Sequence, residues 1–135
     1  MALTLSPDHE AARTEAARLP ALQASYGLLT AAPGPAKVQL FEGSPDTGTL
    51  IVTMDLPAES LTLDEPAKQI KNTAPIEGQA VVAGAVDRAR ILDGAGSQWG
   101  DATVTDEAGS GDIKLQTTTL QAGGFARLTS AIFQG

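Results

Sequence analysis

The sequence contains no cysteine. Disulfide frameworks, thiolate zinc sites and cysteine nucleophiles are thereby excluded, and stability has to come from packing. Histidine is nearly absent as well: the single one, His9, falls in what reads as the first turn of a helix. An exposed helix start is a poor place to orient an imidazole against a serine nucleophile, so His9 reads as a solvated surface residue. Aromatic residues make up 4% of the chain, and the core is expected to be built from Val, Ile, Leu and Ala. Cations are few. Nine Lys and Arg stand against sixteen Asp and Glu, a net charge of −7. Such a chain is repelled by phosphate backbones and by anionic bilayers, so neither nucleic acid nor membrane is the expected partner. No apolar run approaches the ~18 residues that span a bilayer. The opening Met1–Pro7 has no charged region followed by a long apolar stretch and does not read as a secretory leader. No G-x-G-x-x-G follows a strand and no Walker lysine is present.

What is there fits one folded domain over residues 1–135, with 42% hydrophobic and 19% charged residues. Residues 6–25 read as an N-terminal helical segment. Ser6 suits the N-cap, Pro7 the first helical position, and Asp8 and Glu10 the positive end of the helix dipole. Ala12, Ala16 and Leu19 form its apolar stripe. Pro20 is expected to kink or end the helix, with a further turn over 22–26 closed by Gly27. Residues 30–35, Thr-Ala-Ala-Pro-Gly-Pro, read as a linker.

From residue 36 onward the pattern is β. Lys37–Leu40 and Thr49–Leu56 alternate and predict a hairpin around a turn at 43–48, with Leu50, Val52, Met54 and Leu56 on one face. Residues 57–67, bounded by Pro57 and Pro66, read as a loop, part of a mobile stretch 57–75. All eight prolines lie at or before Pro75. Beyond it, segments 79–93, 98–105, 113–120 and 124–134 are separated by glycine-rich turns, the spacing of a sandwich or barrel. In the last segment Ala126, Leu128, Ser130 and Ile132 share one face, and Phe125, Arg127, Thr129, Ala131 and Phe133 share the other. Both faces are partly apolar, one for the core and one for cover by the helix or by a neighbouring subunit.

Chemistry is hard to assemble from these residues. Asp106, Glu107 and Asp112 flank Ala108–Gly111, which lacks the alternating ligands and closing Glu of an EF-hand and reads as a solvated hairpin turn. Asp87, Asp93 and Asp101 can meet at one end of a sheet, but no glycosidase pair follows from that. No catalytic, cofactor-binding or metal-binding residue is assigned, and an enzyme is not expected. Arg88 and Arg90, two apart on a strand, share a face and serve either as an interface anchor or as partners of nearby acids. Trp99 is the single tryptophan, a residue enriched at interface hot spots. Arg88, Arg90, Trp99, Phe125 and Phe133 are the candidate interface residues. From Val38 to Ala67 the acids Glu42, Asp46, Asp55, Glu59, Asp64 and Glu65 occur with no Lys or Arg among them, a stretch able to steer the chain onto a basic surface.

Three stretches carry a resemblance: Ala85–Gly94 (AVDRARILDG), Trp99–Val104 (WGDATV) and Gly109–Leu115 (GSGDIKL), followed by Leu120–Ser130 (LQAGGFARLTS). Together they resemble the tailed-phage capsid cement or decoration protein family over residues 79–134. The proline-rich middle, 57–75, has no counterpart in that pattern. The resemblance implies a mainly-β, jelly-roll-like β-sandwich with a short N-terminal helix. It implies a virion structural protein that binds and stabilises the outer surface of a phage capsid after assembly in the host cytoplasm. The implied partners are the major capsid protein and a second copy of the chain, as a symmetric oligomer, most simply a dimer. No catalytic residue is carried over. A phage tail or baseplate module is the alternative of the same physics. A carbohydrate-binding β-sandwich is a third class, disfavoured because Trp99, Tyr26 and three Phe are too few and dispersed to build a sugar-stacking platform.

Overall fold

A computed structural model describes Thr4 and residues 6–134, and the other opening residues read for a leader lie outside this range. Helix α1 runs Pro7–Leu29. Ser6 caps it as expected: its hydroxyl oxygen accepts from the His9 N–H at 3.2 Å, with Pro7 just inside the first turn. The helix continues through Pro20, although proline has no N–H to give the Ala16 carbonyl, and it passes Gly27 to end four residues beyond the expected boundary. Its own C-terminal half explains this. Leu22 and Leu29 are buried and Tyr26 packs against the core, so tertiary contact holds turns that local propensity would release. The helix is seated by this later stripe. The alanine stripe expected to dock, Ala12 and Ala16, is exposed, as is every residue from Pro7 to Ala17.

The remainder is a mainly-β, sandwich-like fold made from one curled sheet. Strands β1 (Ala36–Glu42) and β2 (Thr49–Leu56) form the predicted hairpin. A bulge between Leu40 and Phe41 changes its facing. Ile51, Val52, Met54 and Leu56 are buried, while Leu50 is turned out to solvent, because an extra residue on one strand reverses the alternation beyond it. After a short 3-10 turn, Ala58–Ser60, come β3 (Leu61–Asp64) and β4 (Gln69–Asn72). The stretch read as a loop is thus a second hairpin. Pro57 precedes the turn and Pro66 lies between the strands, so neither proline interrupts a ladder.

Strands β5 (Ile76–Gln79), β6 (Gly84–Ala85), β7 (Arg88–Leu92), β8 (Gln98–Asp106), β9 (Ile113–Leu115), β10 (Thr119–Leu120) and β11 (Phe125–Gln134) complete the chain. The sheet order is β2-β1-β7-β8-β9-β11-β4-β3, with β5 on the other side of the β11 start and β10 paired with β6. The pair β8–β9 is parallel, so the 107–112 segment folds back across the sheet instead of closing a hairpin. β5 also reaches β2: Val52 bridges Ala80, and the Val81 N–H donates to the Ile51 carbonyl at 2.9 Å. The sheet therefore curls until its first strand meets β5, around an aliphatic core that includes Val38, Leu40, Ile91, Ile113, Leu115 and Leu128. In β11 a register shift between Leu128 and Ser130 exchanges the faces. Ala126 and Leu128 point inward, then Ala131 and Phe133, while Ile132 is only half-buried.

The pairings give the curled sheet two distinct ends. At one end lie the close of β1, β5 and β8 and the start of β2, β7 and β11. At the other lie the β7–β8 turn, the β3–β4 hairpin, the end of β11 and the seated half of α1.

Candidate functional site

The five candidate interface residues do not form one site. Trp99 and Phe133 meet edge to face with ring centroids 5.2 Å apart. The Trp99 indole N–H donates to the Ser25 carbonyl at 3.0 Å, which ties the sheet to α1. The pair belongs to the seat of the chain's own helix. A groove of about 410 Å³ runs beside it, lined by Thr14, Ala17, Ala21, Leu22, Trp99 and Phe133 among others.

Arg90 lies on β7 between two carboxylates. Its Nε donates to Asp101 Oδ1 at 3.0 Å and its Nη2 to Asp46 Oδ1 at 2.7 Å. The Asp101 bond above all, then Asp46, holds the guanidinium still more firmly protonated than usual. Arg90 thus fastens the β1–β2 turn to β7 and β8. Arg88, on the same outward face of β7, stays exposed with Asp87 at 3.9 Å.

Phe125 is different. It is 67% exposed at the start of β11, opposite Gln79 of β5. Val81, two residues beyond Gln79, is 71% exposed. Val81 lies in the bend that follows β5, where the chain leaves the strand paired with the start of β11. Gly123, at φ 83°, adopts a backbone that other residues rarely accept, with open space where a Cβ would stand. Val82 follows Val81, and Leu50 precedes the residue whose carbonyl Val81 bonds. Of the five exposed large apolar side chains among the described residues, only Leu28 lies at the helix end; Leu50, Val81, Val82 and Phe125 share the opposite end. The sequence signal was present in the composition of Val81-Val82, but an apolar pair in a predicted strand reads as core.

The acids are dispersed. Asp87, Asp93 and Asp101 do not meet. Asp87 accepts from the Gly43 N–H at 2.8 Å, and Asp101 holds Arg90. The buried Asp93 carboxylate caps its own turn, accepting from the Ala95 and Ser97 N–H groups at 3.0 Å each. Asp106 accepts from Ala108 and Gly109, and Asp112 from the Thr103 N–H and hydroxyl. These carboxylates organise turns. Among the described residues no three His, Asp or Glu side chains stand close enough to hold a metal ion, and no helix is long and apolar enough to cross a membrane. A second cleft, of about 450 Å³, lies under the 30–35 linker against Pro57–Glu59, with Glu59 its single titratable lining residue. Set against protein-family models, curated proteins and solved structures, the chain matches none of them.

Proposed function

We propose that this chain is a virion structural protein of the cement or decoration type, binding the outer surface of a phage capsid through protein–protein contact. The observation that carries the reading is the pairing of a cross-braced, curled sheet with exposed apolar side chains gathered at one end. Contiguous apolar exposure rimmed by polar residues marks protein interaction surfaces. Neither of the two clefts described above brings a nucleophile, base and oxyanion donors together. The resemblance over residues 79–134 supplies the choice of a capsid as the partner. A symmetric dimer is part of the same proposal, since two linked copies turn weak contacts into retained ones. The exposed Pro7–Ala17 half of α1 and the groove beside Trp99 are the surface left for the second copy.

The test is cosedimentation of the purified chain with empty capsids, and separately with purified tails, of the phage or prophage that encodes it. Binding to assembled capsids, weakening as salt is raised, is the expected result. Binding to tails with none to capsids moves the chain to a tail or baseplate role.

A further inference from the structure

We infer that the sheet end bearing Leu50, Val81, Val82 and Phe125 is a docking surface for a different protein, one presenting apolar side chains among lysines and arginines, and not for a second copy of this chain. The inference rests on the proposed reading of the chain as a protein-binding module and adds which end binds and what chemistry it meets.

The first observation is preorganisation. The segment carrying Val81 and Val82 is fixed on both sides. The Ala80 N–H donates to the Gly124 carbonyl and the Gly123 N–H to the Ala80 carbonyl, both at 2.8 Å, and the Val81 N–H donates to Ile51. Glu42 Oε2 accepts from the Ala85 N–H at 2.9 Å, closing the far side of the segment. A surface held this way loses little conformational freedom on binding. Val81 and Phe125 keep most of their surface in solvent, and Leu50 and Val82 more than a third of theirs, so a partner seated here takes apolar area out of water.

The second observation is charge. The strand ends at this end of the sheet carry Glu42, Glu77, Asp87, Asp106 and Glu107 against Arg88 and Arg127, so Glu42, Asp106 and Glu107 remain once the two arginines are matched. Arg127 pairs with Glu77 at 3.2 Å, and Arg88 has Asp87 at 3.9 Å. The rim is therefore acidic. Two copies meeting through this end would bring like-charged rims together around a shared apolar centre, an arrangement that costs binding energy, whereas basic residues on the partner both neutralise the rim and speed encounter.

The experiment titrates the full-length ¹⁵N-labelled chain with three strand peptides: one alternating Lys and Leu, one alternating Glu and Leu, and one alternating Lys and Ser. The expected result is that the Lys–Leu peptide alone binds, that its shift changes gather in residues 42–50, 79–87 and 123–127, and that the Val81→Thr, Phe125→Thr double variant binds at least tenfold more weakly. Both positions are exposed and Thr keeps strand propensity, so the variant should fold, which its amide spectrum checks. Equal binding of the Glu–Leu or Lys–Ser peptide, shift changes at the Trp99 groove instead, or no binding overturns the inference. Concentration-dependent shifts in these residues without peptide also overturn it, by showing that a second copy occupies the end. Cosedimentation of the same variant separates the two readings. Wild-type and variant chains binding capsids equally sink this surface and leave the proposed function standing. Wild-type failing to bind capsids, while the peptide mapping holds, sinks the function and leaves the surface.

Discussion

The Trp99 indole N–H and the Ser25 carbonyl oxygen, 3.0 Å apart, join the first residues of β8 to the last quarter of α1 across more than half the sequence. The same indole packs edge-on against Phe133 at the end of β11, so one side chain connects the helix to two strands. Replacing it tests how the helix is held. Trp99→Phe keeps most of the apolar contact and removes the donor. It is expected to lower stability by about 1 kcal/mol, the usual net worth of such a bond. Chemical denaturation measures the loss. Native-state amide exchange should show protection falling in residues 22–29 and staying low in residues 8–16 of both proteins.

The two halves of α1 should respond differently to side-chain changes. Leu29→Ala removes a fully buried side chain where the helix meets the core and is expected to cost about 2–5 kcal/mol. Ala12→Ser, in the exposed half, is expected to stay within about 0.5 kcal/mol. Matching denaturant midpoints for the two variants would contradict the seating described here.

Gly94 packs against the linker. Its N–H donates to the Leu28 carbonyl at 3.2 Å and its carbonyl accepts from the Gly34 N–H at 2.7 Å, and a Cβ there would run into the Ala31 main chain. Gly94→Ala is expected to cost about 1–3 kcal/mol, the range for overpacked sites. Gly96→Ala, with nothing near a Cβ but φ at 89°, separates backbone strain from collision. Denaturant midpoints of the two variants make the comparison.

β11 pairs with β5 and β9 along its first half and with β4 beyond. Deleting residues 124–135 strips partners from three strands and removes Leu128, Ala131 and Phe133 from the core. The expected outcome is a chain with no cooperative thermal transition by circular dichroism. A cooperatively melting truncation would show that the rest of the sheet closes without it.

Two surface carboxyls set a weak acid dependence. The Lys68 ammonium, then Arg18, hold Glu15 below its ordinary range, and Lys71, then the Ala67 N–H, do the same for Asp64. Each carboxyl binds its proton more readily in the unfolded chain. Their contribution is therefore full above the ordinary carboxylate range and is lost as pH falls through the lowered native values. Melting temperature should decline below about pH 4. Lys68→Met should make that decline shallower, and added salt should shrink the difference, because both pairs are exposed to solvent.

Part of the architecture was legible because it is local. Ser6 and Pro7 start a helix wherever such a pair opens an alanine-rich run, and the β1–β2 hairpin follows from alternation on both sides of a glycine-bounded turn. The hairpin at 61–72 is less legible, because Pro57 and Pro66 bracket Leu61 and Leu63 and separate them from Ile70, the residue across the ladder from Leu63. Phe125 is a sequence candidate by its place on the last strand and is exposed, whereas Val81 and Val82 are exposed without being sequence candidates. Exposure of a valine pair is decided by what fails to cover it.

By itself the sequence determined the class of this protein. It excluded thiol chemistry, set an acidic surface, supplied an aliphatic core and punctuated a β chain behind one capped helix, each from the intrinsic chemistry of residues and their near neighbours. Tertiary structure decided which side of each strand is buried and how far the helix runs. The bulge at Leu40/Phe41 turns Leu50 outward and Ile51 inward, the shift in β11 turns Phe133 onto Trp99, and packing of Leu22 and Leu29 carries the helix through Pro20. The reason is that facing alternates with every residue, so a one-residue shift set by a distant strand reverses it, and no window of local sequence contains that strand.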